Sequence, residues 1–299
     1  MQDRPLAAAG SILAAMAIIG FIDQFVAVIA ETSSLWTFHL IRSAMMWALA
    51  LAWVALMGQR LRVVNWRGVA KRSAFTSSAM IIYFGALGFL PVAEAAAGLF
   101  TAPIFVLIFS VMFFGLSVGP ARIAAVLLGF AGVIAVLAPD PSTITMLTFV
   151  PVAAGAFYAV SAIGTRAWCA EETALAISLG VFTAMAIWGI GGITVIGLVG
   201  GGDTFLTRGW VTPSGEVLFW TAVQAVGSLI AVVLLTRGYQ LAEASKASVF
   251  EYSVLGFSAL FGWWVSGDLL SPLGYLGLVA IAVSGAIIAL RGRRAGVTP

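Results

Sequence analysis

Charge is what this sequence has least of. Of its 299 residues, only 9% are Asp, Glu, Lys or Arg, against about 25% in ordinary soluble domains. No soluble fold of this size covers its surface with so few charges. Hydrophobic residues make up 62% and the mean hydropathy is +1.08, so disorder is excluded too. Cysteine is nearly absent: Cys169 stands alone, and no internal disulfide can form. The single histidine is His39, so no Cys/His cluster offers a metal site. There is no GxxxxGK[ST] nucleotide motif, so ATP is not indicated as an energy source. No cofactor is expected.

What is present is long apolar runs. A transmembrane β-barrel would show short alternating segments. These runs instead indicate an all-α integral membrane protein. A spanning helix needs roughly 20 apolar residues, and ten segments qualify: 7–30, 35–57, 73–92, 95–116, 120–138, 146–167, 173–199, 215–236, 247–266 and 272–290. Pro91 and Glu94 mark a tight turn between two of them. Two connections are longer, 58–72 and 200–214, and neither holds a soluble domain. The first run follows Arg4 without a convincing cleavage site, so it reads as a membrane helix and not a removed signal peptide.

The net charge of +3 and pI near 9.4 are no sign of nucleic acid, because in a membrane protein placement outweighs total. With a cytoplasmic N-terminus and ten spans, the inside receives Arg4, Arg60, Arg62, Arg67, Lys71, Arg72, Arg122, Arg166, Arg237, Lys246, Arg291, Arg293 and Arg294. The outside receives Arg208, and Arg42 falls within a helix. That bias follows the positive-inside rule and puts both termini in the cytoplasm of a bacterial-type inner membrane.

The chain also resembles itself. AEAAAG at 93–98 and AEASKA at 242–247 each open a span. Each such span is followed by one begun by a proline, Pro120 or Pro272, and carrying a late glycine, Gly132 or Gly285. The expected division is two five-helix halves, 1–140 and 141–299. Five is odd, so the halves point in opposite directions, as in many secondary transporters.

These features resemble the EamA-type members of the drug/metabolite transporter superfamily. The segment AEAAAGLFTAPIFVLIFSVMFFG at 93–115, with Pro103 in mid-span, is similar to the first repeat of that family. Residues 242–264 are similar to the second, with Tyr252 where the family often has proline. Asp23 in GFIDQFVAV and Arg42 in FHLIRSAMM stand where many relatives carry an Asp and an Arg. Many of those relatives have a Lys shortly after the Asp, where this chain has Ala27. The resemblance implies a ten-helix small-metabolite transporter and leaves the cargo open.

An ionisable side chain at a helix centre costs roughly 2.5–3.5 kcal/mol on insertion scales, so it usually faces a cavity, a partner or a pathway. Asp23, Arg42 and Glu251 are the clear candidates. Asp23 and Arg42 form either a polar pair that binds a zwitterion or gates the outer side, or a fixed ion pair between helices 1 and 2. His39 shares a face with Arg42 at a spacing of three, or is an interfacial residue. Glu251, between Phe250 and Tyr252, is either a proton-coupling or cation-binding carboxylate or an interfacial glutamate paired to Lys246. Gln24, Tyr83, Tyr158, Ser161, Trp188, Gln224 and Trp264 complete a candidate cavity, whose aromatic faces suit a planar or cationic ligand. Most Trp in such proteins merely anchor at interfaces. Pro103 is a candidate hinge. Gly85, Gly88, Gly129, Gly132, Gly155, Gly164, Gly277 and Gly285 suit close helix approach. Glu94 and Glu243 are expected to cap the helices they open.

The leading reading is a secondary transporter of a small solute (an amino acid, vitamin, amine or drug-like molecule), working by alternating access and proton-coupled or gradient-driven. Its partners are that solute and the lipid bilayer, and it acts as monomer or homodimer. A channel or lipid scramblase is the alternative, although neither rings of like charge nor a filter repeat is seen. An intramembrane enzyme lacks a nucleophile–base pair or carboxylate dyad.

Overall fold

The computed structural model describes residues 4–58, 61–115, 118–267 and 269–295; the side chains of residues 27, 114, 143 and 291–295 lie outside the description. Arg60 and the side chains of Arg291, Arg293 and Arg294 are therefore outside it, as is the side chain of Ala27. Among the described residues there is no strand.

The helices are α1 (Pro5–Ile22), α2 (Val26–Thr32), α3 (Leu35–Leu56), α4 (Trp66–Ala86), α5 (Val92–Leu99), α6 (Ala102–Phe114), α7 (Pro120–Leu137), α8 (Val150–Trp168), α9 (Ala174–Val199), α10 (Gly215–Leu241), α11 (Ala244–Ala247), α12 (Ser253–Ser266) and α13 (Pro272–Ala295). Their starts are written in the sequence. Ser34, Asn65, Thr173 and Ser214 each accept a hydrogen bond from the backbone N–H three residues on, satisfying a donor the helix leaves free. Pro5, Pro120 and Pro272 open α1, α7 and α13, where a missing N–H costs nothing.

Among the described residues, eight helices are long and apolar enough to cross a membrane. The chain is a multi-pass membrane protein. The two expected spans outside that set are helical as well, and each departs from the expectation for a physical reason. Segment 73–92 is α4, which begins seven residues earlier and so takes Arg67, Lys71 and Arg72 into the helix. Segment 247–266 is split into α11, a 3-10 stretch Ser248–Tyr252 and α12. The first expected span is likewise split, by the 3-10 turn Asp23–Phe25. The helix of segment 215–236 is longer than expected: α10 runs to Leu241 and includes Arg237, Tyr239 and Gln240.

Segment 95–116 divides into α5 and α6. Pro103 is the second residue of α6 and not a kink inside a continuous helix. Lacking an N–H, it cannot bond the carbonyl of Leu99, and its ring crowds that carbonyl. The backbone responds at Phe100–Thr101, where Thr101 N–H turns to Gly98 O at 3.2 Å.

Loop contacts define the two ends of the bundle. At one end Arg4 N–H bonds Leu241 O at 2.8 Å, Glu172 accepts from Val64 N–H at 2.8 Å, and Arg122 meets Glu243 at 2.7 Å. Most of the Lys and Arg residues cluster there, and it is called the basic end below. At the other end Leu35 N–H bonds Phe205 O at 2.9 Å, and Arg208 holds the carbonyls of Glu31 and Ser33.

Between the ends, α7 lies along α13, α4 against α8 and α9, α1 against α10 and α12, α3 against α9 and α10, and α8 against α5 and α6. Small residues set these distances. A Cβ on Gly132 would stand 2.6 Å from the carbonyl oxygen of Gly277, and one on Gly277 equally close to that of Gly132. The α7–α13 contact is thus backbone against backbone.

Glu243 does not cap α11 through its side chain. Its carboxylate is drawn instead to Arg122, with Lys246 Nζ 3.5 Å away. Glu94 is buried in the first turn of α5 and accepts from Thr148 Oγ1 at 3.3 Å.

Candidate functional site

Two polar clusters occupy the interior, one toward each end. The first is built where α1 gives way to the 3-10 turn Asp23–Phe25. Asp23 stands at that break with its side chain accessible. Its electrostatic partner is Arg42, buried in the second turn of α3. Arg42 Nη2 lies 3.2 Å from His39 Nδ1. A guanidinium can only donate, so Nδ1 accepts and the proton of the neutral ring sits on Nε2. The Arg42 guanidinium is also 4.6 Å from the centroid of the Phe38 ring, a cation–π distance.

Donors remain to be used in this cluster. His39 Nε2 and Arg42 Nε are buried and have no hydrogen-bond partner among the described residues. Leaving such groups unpaired costs about 1–3 kcal/mol each, which an incoming acceptor would offset. Tyr83 is within electrostatic reach of Asp23, and Phe84 stands edge-on to His39 at 5.2 Å. Phe25 stacks on Trp220 at 4.1 Å, with Phe21 edge-on to Phe25.

The second cluster lies toward the basic end. Glu251, in the 3-10 stretch, accepts hydrogen bonds from two tyrosines: Tyr158 Oη of α8 at 2.8 Å on Oε2, and Tyr239 Oη of α10 on Oε1. Two hydroxyl donors on one carboxylate suit its ionised form. Arg72 of α4 completes the set as the electrostatic partner of Glu251. Its Nε donates to Thr165 Oγ1 at 3.2 Å, and its Nη1 is buried with no partner among the described residues. Three elements thus meet on one partly exposed carboxylate, with Arg72 of a fourth within electrostatic reach.

Several candidates are placed elsewhere. Gln24 donates to Gly20 O and Ser258 O, tying α1 to α12. Gln224 is buried and donates to Ile22 O at 2.5 Å, bracing the end of α1. Ser161 turns back on the carbonyl of Tyr158. Tyr252 is core, its ring filling the space where Gly129 has no side chain. Trp188 and Trp264 are exposed on the outside of the bundle, so neither joins a polar cluster. Lys246 is held at Glu243, and Glu251 takes the tyrosines instead.

Sequence reasoning missed Arg72, Tyr239 and Thr165. Arg72 was counted with a basic loop, because the charges of 67–72 hide the start of α4. Tyr239 lies beyond the expected end of its span. The spacing of Arg72 from Val69 and Thr76, three and four residues on one helix face, is the signal that would have placed it inside.

No family model matches the chain. The riboflavin transporter of Rhizobium johnstonii is 28% identical over 206 residues, covering 69% of this chain and 64% of that protein. The chain therefore matches slightly less than two thirds of that relative's length. What it resembles is a set of bacterial transporters. An uncharacterized transporter of Helicobacter pylori is 24% identical over 294 residues, 97% of each chain. The pseudopaline exporter CntI of Pseudomonas aeruginosa is 26% identical over 248 residues, 82% of this chain and 80% of the exporter. A crystal structure at 17% identity superposes with a TM-score of 0.79 over 97% of this chain and 98% of that one, a likeness of fold alone.

Proposed function

We propose that the protein is a secondary transporter that moves a small, flat, polar metabolite across a bacterial plasma membrane by alternating access, in the manner of the EamA-type transporters it resembles. The observation that carries this reading is Asp23: an accessible carboxylate at the break in the first span, with buried Arg42 as its electrostatic partner and Tyr83 within electrostatic reach. The acid and base together suit a solute with both donors and acceptors, and the rings suit a planar one. Riboflavin, named for several relatives, is the first cargo to test.

Two five-helix halves, 1–140 and 141–299, are the moving parts of this proposal. The helix contacts support it. Advancing each helix by five spans turns the α1–α10 contact into α8–α4, α1–α12 into α8–α6, and α4–α9 into α10–α3, while α7–α13 and α3–α9 map onto themselves. All of these contacts occur. A pseudo-two-fold relation of this kind is the geometry in which two halves rock about one site. The breaks at Phe100–Thr101 and Ser248–Tyr252 fall in the corresponding fourth and ninth spans and are the proposed hinges, with Pro103 fixing the first.

Glu251 is the proposed coupling group. Its two tyrosine bonds and Arg72 close the basic end, read as cytoplasmic because the Lys and Arg residues gather there. Protonation would remove one acceptor oxygen and weaken that closure.

The test is counterflow in proteoliposomes loaded with unlabelled riboflavin, followed by a panel of flat amphoteric solutes. Saturable, stereospecific counterflow of any one supports a carrier. Linear, non-saturating flux of all of them, or dye-lipid scrambling by the protein, would establish a channel or scramblase instead.

A further inference from the structure

Away from both clusters, an open furrow of about 520 Å³ runs along the outside of the bundle between α4 and α9, bordered by α3. Its floor is made of small residues at helical spacing: Ala70, Ala74 and Ser77 on α4, and Gly180 and Ala184 on α9. Such residues usually let two helices close on one another. Gly180 does so here, meeting Val69 and Ser73 of α4, and Trp47, Trp66 and Trp188 border the furrow that lies over this contact. The lining is almost wholly apolar, which suits hydrocarbon and not a water-soluble solute.

Three tiers of chemistry follow one another along this furrow. Beside its basic end, on the segment that leads into α4 and on the first turns of α4, are Arg62, Arg67 and Lys71, all exposed and next in sequence to the lining residues Leu61, Val63, Trp66 and Ala70. The Arg67 guanidinium lies 5.6 Å from the ring of Trp66, which itself borders the furrow. The sequence has no Asp or Glu between Glu31 and Glu94. Glu172 reaches this segment from the next loop, but its Oε1 is spent on the backbone N–H groups of Val64 and Asn65. Glu172 keeps its negative charge, and the three exposed cations outnumber it. One turn deeper is Ser73, 2% exposed, lining the furrow and with its hydroxyl unpartnered among the described residues. Beyond it the wall is apolar.

We infer that this furrow is a specific site for an anionic phospholipid. The phosphate meets Arg67 and Lys71, a glycerol ester carbonyl accepts from the Ser73 hydroxyl, and one acyl chain lies in the furrow over the α4–α9 contact. Basic pockets between membrane helices are suited to anionic head groups. The site bears on the inner cluster, because Ser73 and Arg72 are adjacent on α4. A lipid in the furrow fixes the helix that carries Arg72.

The test reads lipid binding and not transport, so it stands apart from the transport proposal. Delipidated full-length protein in detergent is melted with added dioleoylphosphatidylglycerol or dioleoylphosphatidylcholine. The expected result is a saturable rise in Tm with the glycerol lipid and at least tenfold weaker apparent binding of the choline lipid. Ala184→Phe, which fills the furrow, is expected to weaken phosphatidylglycerol binding at least tenfold. Arg67→Ala with Lys71→Ala is expected to bring the two lipids level. Equal binding of both lipids by the unmodified protein overturns the headgroup assignment. Unchanged binding by the filled variant overturns the furrow. If Ala184→Phe does not fold, Ser73→Ala with bound-lipid counting by native mass spectrometry decides: retained phosphatidylglycerol at full affinity rejects the site.

Discussion

Tyr158 and Glu251 are 93 residues apart in the chain, and their side chains meet at 2.8 Å. With Tyr239 on the other carboxylate oxygen, Glu251 is gripped by α8 and α10 at once. Hydrogen bonds to a charged group contribute about 1.5–3 kcal/mol, so this grip is a strong tie between α8, α10 and the 3-10 stretch.

Glu251→Gln keeps an acceptor oxygen for one tyrosine and removes the ionisable group. Uptake driven by a pH gradient should fall at least tenfold in proteoliposomes, while solute exchange persists. Full pH-driven uptake by the variant would end the coupling role. Tyr239→Phe should lower melting stability by about 1.5–3 kcal/mol and speed solvent access to the basic end.

Arg42→Gln takes away the partner of Asp23 and the donor to His39 Nδ1. Breaking a fully buried ion pair costs about 3–5 kcal/mol. Asp23 is accessible and its attraction to Arg42 is through space, so a smaller loss is expected in the melting temperature. The larger effect should be on solute binding, tenfold or more, measured by titration calorimetry. Wild-type affinity in both Arg42→Gln and Asp23→Asn would remove this pair from the site.

Gly132→Ala should destabilise by about 1–3 kcal/mol, the range for overpacking, since its Cβ would meet the Gly277 carbonyl oxygen at 2.6 Å. Gly10→Ala is the control, with nothing within 4 Å of its added Cβ. Comparable melting of the two variants would contradict the α7–α13 packing.

Cys169, in the loop between α8 and α9, is a native reporter. Burial pushes its thiol up to about 11, with Arg72 opposing that rise. The thiolate is the reactive form and is populated only as pH climbs toward that value. Maleimide labelling at pH 7.5 should therefore be at least tenfold slower than in the chain unfolded by detergent. Equal rates would show the loop to be open.

The membrane class and the positions of most helices were legible because hydropathy and capping are local. Ser34, Asn65 and Thr173 announce their helices within four residues. The polar partnerships were not legible in the same way. Asp23, Arg42 and Glu251 stood out as charges in apolar runs, but nothing local says that Glu251 takes tyrosines from α8 and α10 in place of Lys246. That choice follows from packing between elements far apart in the chain. Arg72 was hidden for the opposite reason: it sits among other charges, and only the tertiary fold separates the one that turns inward from its neighbours at the surface. Gln24 and Gln224 misled because a polar side chain in a membrane helix can serve the backbone of another helix as readily as a solute.

Asp23 with Arg42, and Glu251 with Arg72, each sum to zero charge. A carrier built on two neutral pairs moves no net charge across the membrane when it reorients empty. One elementary charge crossing 100 mV is worth about 2.3 kcal/mol, so in the proposed carrier the empty return is insensitive to voltage while both carboxylates are ionised. Whatever electrical signature transport shows then belongs to the cargo and to any proton carried with it, and a current recording would read their charge directly.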